Sequence, residues 1–178
     1  MRYVVAIDVG IKNLGICVWD FATTKIVFWE NVTIVPSGRY IPAKNVQYVR
    51  DFVTKHQHWF HPDVLYAVLI ERQMRCNMRI VEAILQTMFY DKCTVINAKC
   101  VKAHYNLSTK NYRLNKQKAI HWADEFVKAN FEILGEGVST VWSQEKKRDD
   151  LADSLLLIMY YLDTYSNEVY DGAHYGLL

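Results

Sequence analysis

Asp8 closes the apolar run VVAI, and Glu71 closes YAVLI. A carboxylate at the end of a buried strand is costly unless a partner offsets its desolvation. In AIDVGIKNLG, Gly10 and Gly15 follow the first acid and permit a tight turn and a close backbone approach. That arrangement alone suits a metal site, a phosphate cradle or a plain hairpin. A third acidic group lies in KKRDDLADSLLLIMYYLDTY, where Asp150 and Asp153 are three residues apart and Asp149 and Asp153 four, so both pairs share a helix face. The run Leu155–Leu162 is apolar all round, as in a helix pressed into a core. Asp153 therefore enters a segment heading for burial, where it must be protonated, salt-bridged or bound to a cation. Asp149 and Asp150 have a simpler role as favourable charges near a helix N-terminus. Acids converging on one site repel one another unless divalent cations occupy it. Oxygen ligands without a His or Cys cluster suit Mg²⁺ or Mn²⁺ over zinc. Two such ions about 4 Å apart activate a water and stabilise the leaving oxygen of a phosphodiester.

The elements that must carry these acids follow from hydrophobic period. Residues 3–9, 15–21 and 26–34 read as strands, and the polar ATTK between the last two predicts a hairpin, so the chain opens as an antiparallel three-strand meander. Helical spacing covers 43–60. VLYAVLIE at 64–71 is apolar on both faces and predicts a buried strand parallel to the first. A helix over 74–90, a strand over 93–98, a short helix over 99–106 and a helix over 115–133 follow. Residues 132–147 read as a loop, and 148–165 as the last helix. This order predicts an α/β fold with a mixed sheet and flanking helices in one domain, residues 1–165, with 166–178 expected to form a mobile tail. Central strands of such sheets deliver their carboxyl ends to one crevice, which places Asp8 beside Glu71.

Half of the chain is apolar and 22% is charged, the balance of an ordinary globule. The net charge of +2 is too small to name a partner, but its distribution is uneven. Between Lys92 and Ala123 there is no Asp or Glu, while Lys102, Lys110, Arg113 and Lys116 fall within it. HYNLSTKNYRLNK interleaves basic and aromatic residues, which suits phosphate contact and base stacking or else a solvated face. Lys146, Lys147 and Arg148 oppose the macrodipole of the helix they precede; they are either solvated or facing a polyanion beside the acids. Arg72, Arg75 and Arg79 follow Glu71, to line the crevice against DNA or to pair with Glu82. On the same helix Met74, Met78, Val81, Leu85 and Met88, widened by Ile80 and Ile84, form an apolar stripe broader than a core-facing helix needs. The surplus is deeper burial or a dimer contact. The four cysteines show no metal-ligand spacing and read as small buried thiols in a reducing, intracellular compartment. Trp19, Trp29 and Trp142 read as core residues with partnered N–H groups. Asp8 and Lys12 interrupt the opening apolar run, so it does not read as a signal peptide, and LLLIMYYL is far short of a membrane span.

AIDVGIKNLG, LIERQ and KKRDDLADSLL, in that order, resemble the three acidic motifs of the RuvC-like Holliday junction resolvases. The resemblance covers residues 2 to about 165 and is closest to the branch found in poxviruses and other large cytoplasmic DNA viruses, with a fungal mitochondrial branch also similar. It implies an RNase H-like fold and two Mg²⁺ ions, or Mn²⁺, held by Asp8, Glu71, Asp150 and Asp153. Asp149 is a rival for the place of Asp150. It further implies a homodimer that makes paired nicks in four-way DNA during viral replication or recombination, in the host cytoplasm and without membrane attachment. Arg72, Arg75, Lys102, Lys110, Arg113, Lys116, Lys146 and Lys147 are the expected DNA contacts. The alternatives are an RNase H-like nuclease acting on RNA or RNA–DNA hybrid, and a non-catalytic nucleic-acid-binding module.

Overall fold

The computed structural model of the chain describes residues 2–36 and 38–165; the expected tail, 166–178, lies outside the described residues. Five strands, β1 (Tyr3–Asp8), β2 (Leu14–Asp20), β3 (Lys25–Val32), β4 (Leu65–Glu71) and β5 (Cys93–Ile96), form one sheet in the order β3-β2-β1-β4-β5. The first three pair antiparallel as the meander requires, while β4 and β5 add parallel to β1 and to each other. Parallel pairing demands crossover connections. These are α1 (Asn45–Lys55) with α2 (Gln57–Phe60), and α3 (Cys76–Met88). Beyond β5 come α4 (Ala98–His104), α5 (Tyr112–Ala129), α6 (Val138–Gln144) and α7 (Arg148–Tyr165).

Strand alternation sorts the core into two layers. Val4, Ala6, Cys17, Ala67 and Leu69 face the layer with Ala119, Ala123, Trp142 and the α7 residues Leu151, Leu155 and Ile158. Val5, Ile7, Ile16, Val68 and Ile70 face the opposite layer, with Tyr48, Val49, Phe52, Val81 and Leu85. Because β1 and β4 are buried on both faces, their sequences read as continuous apolar runs rather than alternating ones.

Several expected boundaries shift. The helix expected over 43–60 breaks at His56, which is buried beside the rings of Phe28 and Phe52. The helix expected over 115–133 begins at Tyr112, where the Asn111 side chain accepts a hydrogen bond from Leu114 N, and ends at Ala129 ahead of a short 3₁₀ turn, Phe131–Ile133. Residues 132–147 are not all loop. They contain α6, whose Trp142 stacks on Trp29 with ring centroids 4.8 Å apart and planes 5° from parallel. Trp29 Nε1 donates to Leu151 O and Trp142 Nε1 to Asp124 Oδ1, as expected, but the buried Trp19 Nε1 has no hydrogen-bond partner among the described residues. Of the four free cysteines, Cys17 is buried, whereas Cys76 and Cys100 lie on exposed helix surfaces. Among the described residues no helix is long and apolar enough to cross a membrane.

The apolar stripe of α3 divides. Val81 and Leu85 are buried in the core and Met78 and Ile84 pack at its edge, while Ile80 and Met88 are each 40% exposed and Met74 88%. Glu82 does not pair with an arginine. It is buried and accepts a 2.7 Å hydrogen bond from Gln73 N, which pins the loop between β4 and α3.

Candidate metal centre

The alternation that sends Val4 and Ala6 toward α7 sends Asp8 the same way, and Ala67 and Leu69 do the same for Glu71. The parallel register pairs Ala6 with Leu69 and Ile7 with Ile70, so the two acids leave the sheet side by side. The first turns of α7 cross above them. Gly15 permits this crossing: a Cβ there would lie 2.2 Å from Asp150 O and 3.4 Å from Ser154 Oγ. Gly10 serves the turn itself, since a Cβ would lie 1.8 Å from Asn13 O. Both glycines thus admit a backbone, and the second admits the helix that carries the third acid.

Asp8, Glu71 and Asp153 each offer a carboxylate oxygen, and these oxygens lie within 4.8 Å of one another. Burial pushes the Asp8 carboxyl well above the ordinary carboxylate range, with the neighbouring charge and hydrogen bond of Glu71 adding to it. Burial and then Glu71 push Asp153 up to about 6, against the partial relief given by Lys102. Lys102 Nζ lies 3.1 Å from Asp153 Oδ1 with both side chains largely enclosed, yet that oxygen accepts no aligned hydrogen bond. A group of enclosed, mutually repelling carboxylates with a buried oxygen left without a hydrogen bond among the described residues fits a hard divalent cation. The donor set is all oxygen, as Mg²⁺ or Mn²⁺ prefers.

The other acids of α7 are held differently. Asp150 is buried but falls outside the three-carboxylate cluster, and its carboxylate is ion-paired with Lys147. Asp149 is ion-paired with Lys116 of α5. Burial acts to raise the Asp149 carboxyl, but the hydrogen bond and charge of Lys116 outweigh it and hold the group below the usual range. Asp150 thus adds a minor share of the charge felt at Asp8, while its own carboxylate stays paired with Lys147.

The expected DNA contacts separate into two sets. Arg72, Arg75, Lys110, Arg113 and Lys146 are exposed. Lys102, Lys116 and Lys147 are each engaged by an acid of α7. Lys116 also sits 5.3 Å above the ring of the exposed Tyr112, an aromatic that the basic-aromatic interleaving of this stretch signals. Arg148 is structural: it bonds Asp124 Oδ1 at 3.0 Å and lies over the Trp142 ring, so its charge at a helix start is balanced by tertiary partners.

A family model described as the poxvirus A22 protein matches residues 2–164. The chain belongs to that family. Membership agrees with the poxvirus branch of the resemblance carried by the three acidic motifs. Among solved structures, the fowlpox virus Holliday junction resolvase superposes with a TM-score of 0.63 at 20% identity, covering 91% of this chain and 98% of that one. The fowlpox virus resolvase in complex with substrate Holliday junction DNA gives 0.64 at 18%, covering 91% and 97%. Thermus thermophilus RuvC in complex with a Holliday junction substrate gives 0.54 at 15%, covering 93% and 98%. At these identities the likeness is one of fold: the mixed sheet with flanking helices expected from the element order, in the RuvC-like form that the resemblance implies. No curated protein sequence matches the chain.

Proposed function

We propose that the protein is a structure-selective DNA endonuclease that resolves four-way junctions by paired, divalent-cation-dependent nicks, working as a homodimer in the host cytoplasm during viral DNA replication or recombination. The observation that carries this reading is the convergence of Asp8, Glu71 and Asp153 at one end of a sheet whose fold matches junction resolvases.

Asp8, Glu71 and Asp153 would hold one cation, and Asp150, once free of Lys147, would join Asp8 in holding a second. When bound, such a pair supplies water activation and charge stabilisation at a phosphodiester. The chain's own residues do the rest. Val101, Leu156 and Leu157 wall the crevice beside Glu71 and Asp153 and limit water there. Lys102 keeps Asp153 turned toward Glu71 and Asp8 and balances part of their charge. Arg72, Arg75, Lys110, Arg113 and Lys146 offer exposed cations that can track phosphates.

A four-way junction has approximate two-fold symmetry, and a two-fold dimer places two identical sites about one axis. Ile80 and Met88 on α3, with the exposed Met74 in the loop before it, are the apolar side chains available for that contact.

The deciding experiment incubates the protein with a synthetic four-way junction, an RNA–DNA hybrid and linear duplex, with Mg²⁺ or Mn²⁺. Symmetric paired nicks in the junction are expected, abolished by Asp8→Asn, Glu71→Gln or Asp153→Asn while junction binding survives. Cleavage of the hybrid with the junction left intact would move the protein to the hybrid-cutting alternative. Binding without cleavage of any substrate would make it a non-catalytic module.

A further inference from the structure

Asp150 is the acid whose position the cluster leaves unexplained. It is buried, and it acts on the charge of Asp8, yet its carboxylate is turned to Lys147, three residues earlier. The backbone at both ends of this pair is anchored. Lys147 O accepts 2.7 Å from Asn31 Nδ2, Lys147 N donates 2.9 Å to Glu145 Oε1, and Asp150 O is seated where Gly15 lacks a Cβ. The side chain of Lys147 is different: it is 47% exposed, against 12% for its partner. The companion pair, Lys102–Asp153, is enclosed on both sides at 13% and 12%. Lys147, unlike Lys102, can therefore leave its acid for solvent by rotating its own side chain, with no movement of the fold.

We infer that Lys147 is a positioning residue that holds Asp150 away from Asp8, so that the three-carboxylate site fills first and a second cation enters only when Lys147 swings out. The inference rests on reading Asp8, Glu71 and Asp153 as metal ligands. It gives the lysine two consecutive partners: the Asp150 carboxylate in the metal-free protein, and a nucleic-acid phosphate once released. Lys146, one residue away and exposed, carries the same charge but no acid.

The test is Mn²⁺ binding to the full chain without DNA, followed by electron paramagnetic resonance and calorimetry. Wild type should bind one Mn²⁺ tightly and a second more weakly. Lys147→Met should tighten the second site by about fivefold, the worth of a partly exposed ion pair, and leave the first within about twofold. Lys147→Arg, which keeps the pair, should behave as wild type, and Lys146→Met should change neither site. Two equal sites in wild type, no tightening in Lys147→Met, or equal tightening in Lys146→Met would each overturn the latch while leaving the metal centre standing. Failure of wild type to bind Mn²⁺ at all would remove both.

Discussion

The enclosed carboxylates of Asp8, Glu71 and Asp153 repel one another, which a cation should relieve, and proton competition makes that relief depend on pH. Asp153 sits at about 6 in the folded protein against an ordinary 3.8. Its pKa is raised on folding, so the folded state holds the extra proton, and the associated stability is present at low pH and lost as pH rises through 6. A cation takes the place of that proton. At pH 7.5 the carboxylate is already ionised and the cation meets no competition. At pH 5 about nine-tenths of Asp153 is protonated, which weakens apparent affinity roughly tenfold, about 1.4 kcal/mol. For a chain of this size that is about 3–6 °C in melting temperature, and Asp8, raised by burial and by Glu71, acts in the same direction.

The assay is thermal melting with EDTA and with a fixed millimolar Mg²⁺ concentration, at both pH values. His56 works against the acids: burial lowers its pKa, so its contribution is lost as pH falls below the ordinary histidine value. It lies with Phe28 and Phe52 on the other side of the sheet, so subtracting the EDTA curve from the Mg²⁺ curve removes its effect. The Mg²⁺-induced shift should be smaller at pH 5 than at pH 7.5 by at least about 3 °C. A shift that is equal at the two pH values, or larger at pH 5, would refute the raised-carboxylate account of the site.

In EDTA at pH 7.5, Asp8→Asn should melt no lower than wild type, because it removes repulsion against Glu71, and it should lose the Mg²⁺-induced shift; a clearly lower melting point would mark Asp8 as structurally paired. Lys110→Ala with Arg113→Ala should flatten the slope of log affinity for a four-way junction against log salt by about two units without lowering the melting temperature, since both side chains are exposed; an unchanged slope would return them to a solvated face. Ile80→Glu with Met88→Glu should convert a dimer to a folded monomer by sedimentation and abolish paired nicking; wild type sedimenting as a monomer on the junction would defeat the dimer. Leu85, fully buried, is unsuitable for that test because a charge there would unfold the chain.

The strands, their order of appearance and the parallel placement of β4 were legible because β1 and β4 carry unbroken apolar runs that end in acids. Helix α6 was not legible. Its sequence, VSTVWSQ, is short and β-branched, and it is held by the stack of Trp142 on Trp29, a helix-to-sheet contact between residues far apart in the chain that no local period announces. The break at His56 has the same origin, since burial against Phe28 and Phe52 decides it. Asp8, Glu71 and Asp153 could be found as charges at the edge of burial. Whether Asp149 or Asp150 faces Asp8 could not, because spacings of three and four residues leave the rotation of α7 about its axis undetermined. That rotation is fixed by the contact of Asp150 O with Gly15, residues far apart in the chain.

The acid-free stretch has a cause that its sequence conceals. Read alone, seven basic residues between Lys92 and Ala123 with no Asp or Glu suggest a surface for a polyanion. In the fold, α4 and α5 from this stretch pack against α7, and Lys102 and Lys116 meet Asp153 and Asp149. Any carboxylate added nearby would add its charge to the burial and, after it, the Glu71 charge that already hold Asp8 and Asp153 above the ordinary range. Part of the acid-free stretch therefore serves the fold itself. Its basic residues divide by exposure: Lys102 and Lys116 offset acids of α7, while Lys110 and Arg113 stay exposed. On the proposed reading the second pair is the one that meets phosphate, and exposure separates internal counter-ions from external contacts where sequence spacing does not.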